Sequence, residues 1–159
     1  MTKLYLVQHA EAQSKKQNPD RPITPRGRND SLQAAKLLQK LGVEIDQVRH
    51  SGKTRAKQTA GIFAQHLSPE EGVVGVPGLG PVDDVRPVAD EIKAGSQHLM
   101  LVGHLPFMAK IAGYLITHDP EHYVVDVKNA AVICLVKDQE AWLIDWIITP
   151  EIAEKVQTI

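Results

Sequence analysis

An α/β fold is predicted for this chain, as a three-layer α/β/α sandwich with a mainly parallel sheet and a C-terminal hairpin. Three observations predict it: short apolar runs typical of buried strands, segments with helical spacing between them, and two final apolar runs joined by the turn DQE. Alternating strands and helices are typical of parallel sheets covered on both faces. At 159 residues the chain is predicted to form one domain, residues 1–159.

The first elements are predicted from apolar runs and capping residues. Residues 3–7 are short and apolar enough for a central strand, and the polar, proline-containing segment that follows is predicted to be a loop. A helix is predicted to start at Thr24, where Pro25 occupies the first helical position, and to end at Gly42. Residues 43–51 are predicted to form the second strand.

The rest of the chain continues the alternation. The predicted elements are a helix over 53–67, a short strand and Gly/Pro loop over 72–81, a helix over 82–95 in which Pro87 is a candidate kink, a strand over 98–104, a helix over 106–116, and hairpin strands over 129–137 and 140–148. The single cysteine, Cys134, lies in the run AAVICLV, which indicates a buried structural thiol and excludes an internal disulfide.

Composition argues against several classes of partner. Charged residues make up 23% of the chain and the formal net charge is −1, so neither nucleic acid nor a membrane surface is expected as a partner. No apolar stretch is long enough to span a bilayer. The N-terminus also lacks the apolar segment and cleavage site of a secretory signal, so a cytoplasmic location is expected.

Polar side chains follow three of the predicted strands. Gln8 and His9 follow the first, Ser51 and Arg55 the second, and His104 the strand before the hairpin. Because the carboxyl ends of parallel strands form the ligand-binding edge of such sheets, these groups are expected to converge. A neutral imidazole can attack phosphorus, a second can hydrogen-bond the oxygens, and a guanidinium binds two oxygens at once, which together indicate a phosphoryl site. Spacing alone leaves open the alternative that each histidine is an ordinary structural residue.

The segment HDPEH carries a histidine pair, His118 and His122, at a spacing that zinc sites also use. Pro120 would break the helix needed to align the pair, and no cysteine or HExxH pattern accompanies it. A solvated turn is therefore predicted here, and no metal or other cofactor is expected.

Three motifs carry a family resemblance: QHAEA, SGKTRAKQTA and VGHLP resemble the signature segments of the histidine phosphatase superfamily, with its phosphoglycerate mutase-like fold. The segment RPITPRG also resembles a recurrent feature there. The short length, the lack of a large inserted cap and the HLP sequence are most similar to SixA-type phosphohistidine phosphatases. The resemblance runs from Leu4 to about Trp146 and implies a metal-free phosphoric-monoester or phosphohistidine hydrolase.

The resemblance implies roles by matching position. His9 would be the nucleophile that forms a transient phosphohistidine, and His104 would stabilise the equatorial oxygens. Arg55 would bind the phosphate, with Ser51 near it. The family's first motif reads Arg-His-Gly, so Gln8 stands at a phosphate-binding position without the charge and the bidentate geometry of arginine. A weakened activity is expected unless another cation compensates.

Two auxiliary roles stay open in the sequence. The candidates for a replacement cation are Arg21, Arg26, Arg28 and Lys53. Many family members place a glutamate after the third strand to protonate an alcohol leaving group, whereas this chain offers only Asp83 and Asp84, which could equally be helix N-terminal charges. A departing imidazole needs less proton assistance than an alkoxide, so the missing acid favours phosphohistidine.

The function expected from the sequence is removal of a phosphoryl group from a phosphorylated protein, at phosphohistidine, through a phospho-His9 intermediate. One alternative is a phosphomonoesterase acting on a small phosphorylated substrate, with Asp83 or Asp84 as the acid. The other is a non-catalytic phosphate- or phosphopeptide-binding protein, in which Gln8 marks the loss of catalysis.

Overall fold

The computed structural model describes residues 1–158, in which six strands form one sheet and five helices surround it. The strands are β1 (Lys3–Gln8), β2 (Gln47–His50), β3 (Val73–Gly75), β4 (Leu99–Gly103), β5 (Val132–Asp138) and β6 (Ala141–Ile148). The helices are α1 (Pro25–Lys40), α2 (Thr54–Leu67), α3 (Arg86–Ala94), α4 (Phe107–Thr117) and α5 (Pro150–Gln157). The α/β class predicted from the sequence is thus confirmed.

The sheet has the strand order β3-β2-β4-β1-β5-β6. The first four strands are parallel neighbours, but β5 runs antiparallel to β1, and β6 runs antiparallel to β5. The predicted hairpin is therefore confirmed, whereas the prediction of a mainly parallel sheet is wrong because the sheet is mixed. The cause is the loop after α4, which brings the chain into β5 from the opposite end of the sheet.

The alternation of side chains along β1 divides the core into two layers. Leu4 and Leu6 pack with residues of α3 and α4 on one face of the sheet. Tyr5 and Val7 pack with residues of α1 and α2 on the other face. The three-layer arrangement is thus a direct consequence of a central strand that is apolar on both sides.

Helix termini explain which boundaries the sequence could predict. Thr24 caps α1, its Oγ1 accepting the backbone N–H of Gly27 at 3.0 Å, as the sequence indicates. Helix α3 begins at Arg86, so Pro87 lies in its first turn, where proline is tolerated. Pro87 therefore marks the start of the helix and not the kink that the sequence suggested. Helix α5, capped by Thr149, was not predicted.

Two further expectations concern burial and membranes. Cys134 is fully buried in β5, in agreement with a structural thiol. Among residues 1–158, no helix has the length and apolar character needed to cross a bilayer. The cytoplasmic location and the single domain stay predictions from the sequence.

Candidate active site

Three neighbouring parallel strands deliver the candidate residues to one edge of the sheet. His9, Ser51 and His104 are each the first residue after β1, β2 and β4, and these strands lie side by side. The backbone N–H of His9 donates to the carbonyl of Gly103 at 2.9 Å, which holds the two histidines beside each other. Their ring centroids lie 5.1 Å apart with the planes at 53°.

The imidazole of His9 is held through its Nδ1 atom, which lies 2.7 Å from the carbonyl oxygen of Ala10. Because a carbonyl can only accept, Nδ1 carries the hydrogen and Nε2 carries the lone pair. The Nε of Arg55 donates to this Nε2 at 3.3 Å. The nitrogen that could attack phosphorus therefore faces the guanidinium that could hold the phosphoryl oxygens.

The His104 ring is positioned by Ser51. Its Nε2 lies 2.6 Å from Ser51 Oγ, which also accepts the backbone N–H of Lys53 at 3.3 Å. The ring is 2% exposed, and its Nδ1 is buried with no hydrogen-bond partner among the described residues. His104 is thus fixed in place while part of its hydrogen-bonding capacity is unused.

Both imidazoles are kept neutral by their surroundings. Burial, and then the nearby Arg55 and Arg21, lower the pKa of His9 to about 4, although the hydrogen bond to Ala10 opposes this. Burial lowers the pKa of His104 to about 3, with further contributions from Arg55, His9, Lys53 and Arg21. At pH 7 both rings are therefore uncharged, which is the form of a histidine nucleophile.

The charges around the pair are cationic and unpaired. Arg55, Arg21 and Lys53 form no salt bridge within residues 1–158, although seven salt bridges are found elsewhere in that part of the chain. The two other candidate cations lie apart: Arg26 pairs with an acidic side chain one turn further along α1, and Arg28 is exposed. Unpaired cations beside buried neutral rings are a site for an anion.

The position of Arg21 is set by the segment that follows His9. Its Nε donates to the carbonyl of Gln13 at 3.0 Å, and its backbone is in the left-handed region at φ 48°. The next residue, Pro22, accepts the N–H of Gln13 at 2.8 Å, and Ala12 and Ile23 form an isolated bridge. The loop therefore folds back along residues 11–13 and keeps the Arg21 charge near His9.

Gln8 is the last residue of β1 and is 7% exposed. Strand alternation puts its side chain on the same face as Leu4 and Leu6, the face covered by α4. Its Oε1 is buried without a hydrogen-bond partner among the described residues. The amide therefore supplies neither a charge nor a hydrogen bond to His9 in this structure.

The two candidate acids are engaged in turns. Asp83 accepts the backbone N–H of Gly80 at 2.7 Å, and Asp84 accepts that of Arg86 at 3.0 Å; both carboxylates are exposed. Neither is among the charges that act on the two histidines, whose electrostatic neighbours are all basic groups. In the described part of the chain, no three or more His, Cys, Asp or Glu side chains are grouped as metal ligands.

Two supporting residues were not identified from the sequence. Thr59 Oγ1 accepts the backbone N–H of Ala10 at 3.0 Å and donates to the carbonyl of Arg55 at 2.8 Å, which ties the nucleophile segment to α2. Asn129 Nδ2 donates to the carbonyl of His9 at 2.8 Å. Both act through backbone atoms, so no pattern of chemical side chains pointed to them.

Comparison with known sequences confirms the resemblance that the motifs indicate. The model of the histidine phosphatase superfamily (branch 1) matches residues 4–79. An uncharacterized protein of Picosynechococcus sp. is 29% identical over 140 residues, an alignment that covers 83% of this chain and 83% of that protein.

Comparison with solved structures extends the likeness to nearly the whole chain. The protein histidine phosphatase SixA, solved with tungstate, superposes with a TM-score of 0.82 at 23% identity, covering 94% of this chain and 97% of that one. A phosphoserine phosphatase of Entamoeba histolytica superposes with a TM-score of 0.74 at 15% identity, covering 95% and 98%. The phosphoglycerate mutase-like histidine phosphatase fold expected from the motifs is therefore confirmed.

Proposed function

We propose that this chain, a SixA-like histidine phosphatase by its motifs and fold, removes the phosphoryl group of a protein phosphohistidine without a metal ion. One observation carries the proposal: the lone-pair nitrogen of His9 lies 3.3 Å from Arg55 Nε, among cations with no acidic partner in residues 1–158. A nucleophile next to a cationic anion-binding site is the minimal arrangement for phosphoryl transfer.

In the first step, Nε2 of His9 attacks phosphorus in line with the bond to the leaving group. The new N–P bond forms as the old bond to phosphorus breaks, and its electron pair goes to the departing nitrogen. Arg55, Lys53 and Arg21 balance the negative charge of the oxygens in the transition state, because cations fixed in advance need no reorganisation. The Ala10 carbonyl holds the Nδ1 hydrogen throughout, so His9 becomes a phosphoimidazole with a defined geometry.

In the second step, water attacks the phosphorus of phospho-His9. The N–P bond breaks, its electron pair returns to Nε2, and both protons of the water leave with inorganic phosphate, as dihydrogen phosphate or after loss of one to solvent. Our proposal assigns His104 a hydrogen bond to a phosphoryl oxygen in both steps, through the Nε2 atom that lies 2.6 Å from Ser51 Oγ, in a ring 5.1 Å from that of His9. The enzyme then returns to the neutral histidine pair.

The absence of a nearby acid supports the choice of phosphohistidine as substrate. An alcohol leaving group needs a proton as it departs, whereas an imidazole protonated on its other nitrogen leaves as a neutral ring. Asp83 and Asp84 serve the turn before α3, and no carboxylate acts on His9 or His104. A small-substrate phosphomonoesterase would require an acid from the substrate or from a rearranged turn.

The replacement of the motif arginine by Gln8 supports the alternative of a phosphate- or phosphopeptide-binding protein. Against this, the charge of Arg21 acts on His9, on Arg55 and on His104, which makes it the compensating cation in our proposal. With that charge in place, the site keeps the elements that turnover requires.

The experiment is hydrolysis of a phosphohistidine peptide, phosphoserine and p-nitrophenyl phosphate with and without EDTA. We expect turnover fastest on phosphohistidine, unaffected by EDTA, absent in His9→Ala and retained in the matched control His66→Ala on α2. Acid quenching denatures the protein but cleaves phosphohistidine, so the intermediate is trapped in base and located on His9. No turnover on any substrate, or full activity of His9→Ala, would refute the proposal.

A further inference from the structure

An apolar groove with no role in the proposed chemistry begins at Leu105, the residue that follows His104. It encloses about 600 Å³, a volume typical of ligand sites. One wall is formed by the start of α4 and the other by the segment before β5. The lining residues are Leu105, Pro106, Ala109, Tyr123, Val124, Val125, Asp126 and Val127.

Both walls of the groove are continuous with the catalytic centre. Leu105 directly follows His104, so their Cα atoms are about 3.8 Å apart. On the other wall, Val127 lies two residues before Asn129, which donates to the His9 carbonyl at 2.8 Å. Ala130 then donates its N–H to the Gln8 carbonyl at 2.9 Å. A substrate with its phosphoryl group at His9 can therefore extend directly into this groove.

The groove and the phosphoryl site differ sharply in charge. The phosphoryl site has three unpaired cations, whereas the groove has Asp126 as its one charged lining residue, and this carboxylate is paired with Lys128 at 3.1 Å. Two large apolar side chains are nevertheless left exposed here, Leu105 at 42% and Tyr123 at 52%. A matching ligand has a dianionic group followed by uncharged apolar groups.

We propose that this groove binds apolar side chains flanking the phosphorylated residue of a polypeptide, and so makes the site selective for phosphoprotein over small polar phosphates. The inference rests on the proposed function and specifies its substrate. A phosphorylated amino acid or sugar leaves the groove unfilled, whereas a chain with leucine-like neighbours fills it and covers Leu105 and Tyr123. Selectivity among phosphorylated substrates then comes from burial of apolar surface in the groove. The cations at His9 bind the phosphoryl group of every substrate alike.

The test compares two phosphohistidine peptides of equal length, with leucine or serine on both sides of the phosphohistidine, and phosphoramidate as the small substrate. We expect wild-type kcat/KM to be about tenfold higher for the leucine peptide, mainly through KM. Tyr123→Asp places a charge in the groove at an exposed position, so it should abolish this preference and leave hydrolysis of phosphoramidate within about twofold of wild type.

The matched control is Leu143→Asp, at an exposed apolar position on β6. Leu143 pairs with Val136, which pairs with Lys3 at the start of β1, so it lies at the end of the sheet opposite His9. This variant should keep the leucine preference. Equal kcat/KM for the two peptides in wild type, or an equal loss on phosphoramidate in Tyr123→Asp, would overturn the groove assignment.

A binding measurement tests the groove proposal independently of the proposed phosphatase activity. If wild type turns over none of the three substrates, the phosphatase proposal fails, and the groove is judged by binding of both phosphopeptides to His9→Ala. A leucine peptide that binds about tenfold more tightly than the serine peptide supports the groove, and equal affinities refute it. Binding of octyl phosphate as tight as that of the leucine peptide would also refute the choice of a polypeptide.

Discussion

At the scale of single residues, the charges around the two histidines are all of one sign. Arg55, Arg21 and Lys53 each lower the pKa of His104, and no carboxylate opposes them. This arrangement costs stability, because three cations repel one another in a partly buried space. A bound phosphoryl dianion removes that cost. The same charges thus favour a bound anion and contribute to the low pKa values of both histidines.

A prediction at this scale concerns the missing motif arginine. If Arg21 compensates for Gln8, Arg21→Ala should lower kcat/KM on phosphoramidate by about ten- to a hundredfold, the value of one charge-assisted hydrogen bond of about 1.5–3 kcal/mol. In wild type, Gln8→Arg should leave kcat/KM unchanged or lower it, because the added guanidinium repels the Arg21 charge that already acts on the site. In Arg21→Ala, the same change should restore activity. Steady-state kinetics of both single variants and the double variant measure these effects.

The control for this prediction is Arg26→Ala, since Arg26 pairs with Asp30 at 3.9 Å and acts on neither histidine. It should retain wild-type kinetics. If Arg21→Ala behaved like Arg26→Ala, the compensating cation would lie elsewhere and the role of Arg21 would be wrong.

The sequence could place the candidate residues that directly follow parallel strands. His9, Ser51 and His104 follow parallel strands directly, so the strand pattern alone predicts that they meet at one edge. Thr59 and Asn129 bind backbone atoms, which every residue has, so their partners leave no trace in the sequence. The sequence identified Arg21 only as one of four candidate cations. It could not predict which of them lies near His9, because the path of a loop has no periodic pattern.

At the scale of elements, the start of α1 is packed against the segment that follows His9. Thr24 donates its backbone N–H to the Glu11 carbonyl at 2.9 Å and its hydroxyl to the Glu11 carboxylate at 2.9 Å. Gly27 lies so close to this segment that a Cβ there would overlap the Glu11 carbonyl oxygen. The helix start therefore supports the backbone of the segment that follows His9.

This contact predicts that Gly27→Ala destabilises the protein by about 1–3 kcal/mol, because the Glu11 backbone must move to admit a methyl group. The matched control is Gly61→Ala in α2, where a Cβ meets nothing within 4 Å. That change should be neutral or stabilise by up to about 1 kcal/mol, through the helix propensity of alanine. Urea unfolding of both variants gives the two values, and equal midpoints would contradict the close approach.

The elements missed or shifted in the sequence have physical explanations. Helix α5 has eight residues and buries only Pro150 and Ala153, so it has too little apolar periodicity to be recognised, although Thr149 and Pro150 repeat the signal of Thr24 and Pro25. Strand β2 is confined to Gln47–His50 because only there does it pair with β3 and β4. The mixed sheet depends on the path of the loop after α4, which local patterns do not specify.

At the scale of the whole molecule, folding and proton binding are coupled through His9 and His104. Both histidines are buried where their strands end, and burial is the first cause of both lowered pKa values. The unfolded chain restores each imidazole to its ordinary pKa of 6.5. Below that pH the unfolded state binds more protons than the folded state, so acid favours unfolding.

The last prediction follows from this coupling. Stability supplied by the two neutral histidines should be fully present above pH 6.5, and it should be lost as the pH falls toward the folded pKa values of about 4 for His9 and about 3 for His104. Each histidine contributes a slope of at most about 1.4 kcal/mol per pH unit in that window. Urea unfolding from pH 7 to pH 4.5 at constant ionic strength measures the total. Replacing one titrating ring, in His104→Gln, should make the dependence shallower, because the glutamine binds no proton in either state. A pH dependence unchanged by His104→Gln would mean that burial of this histidine does not couple folding to acid.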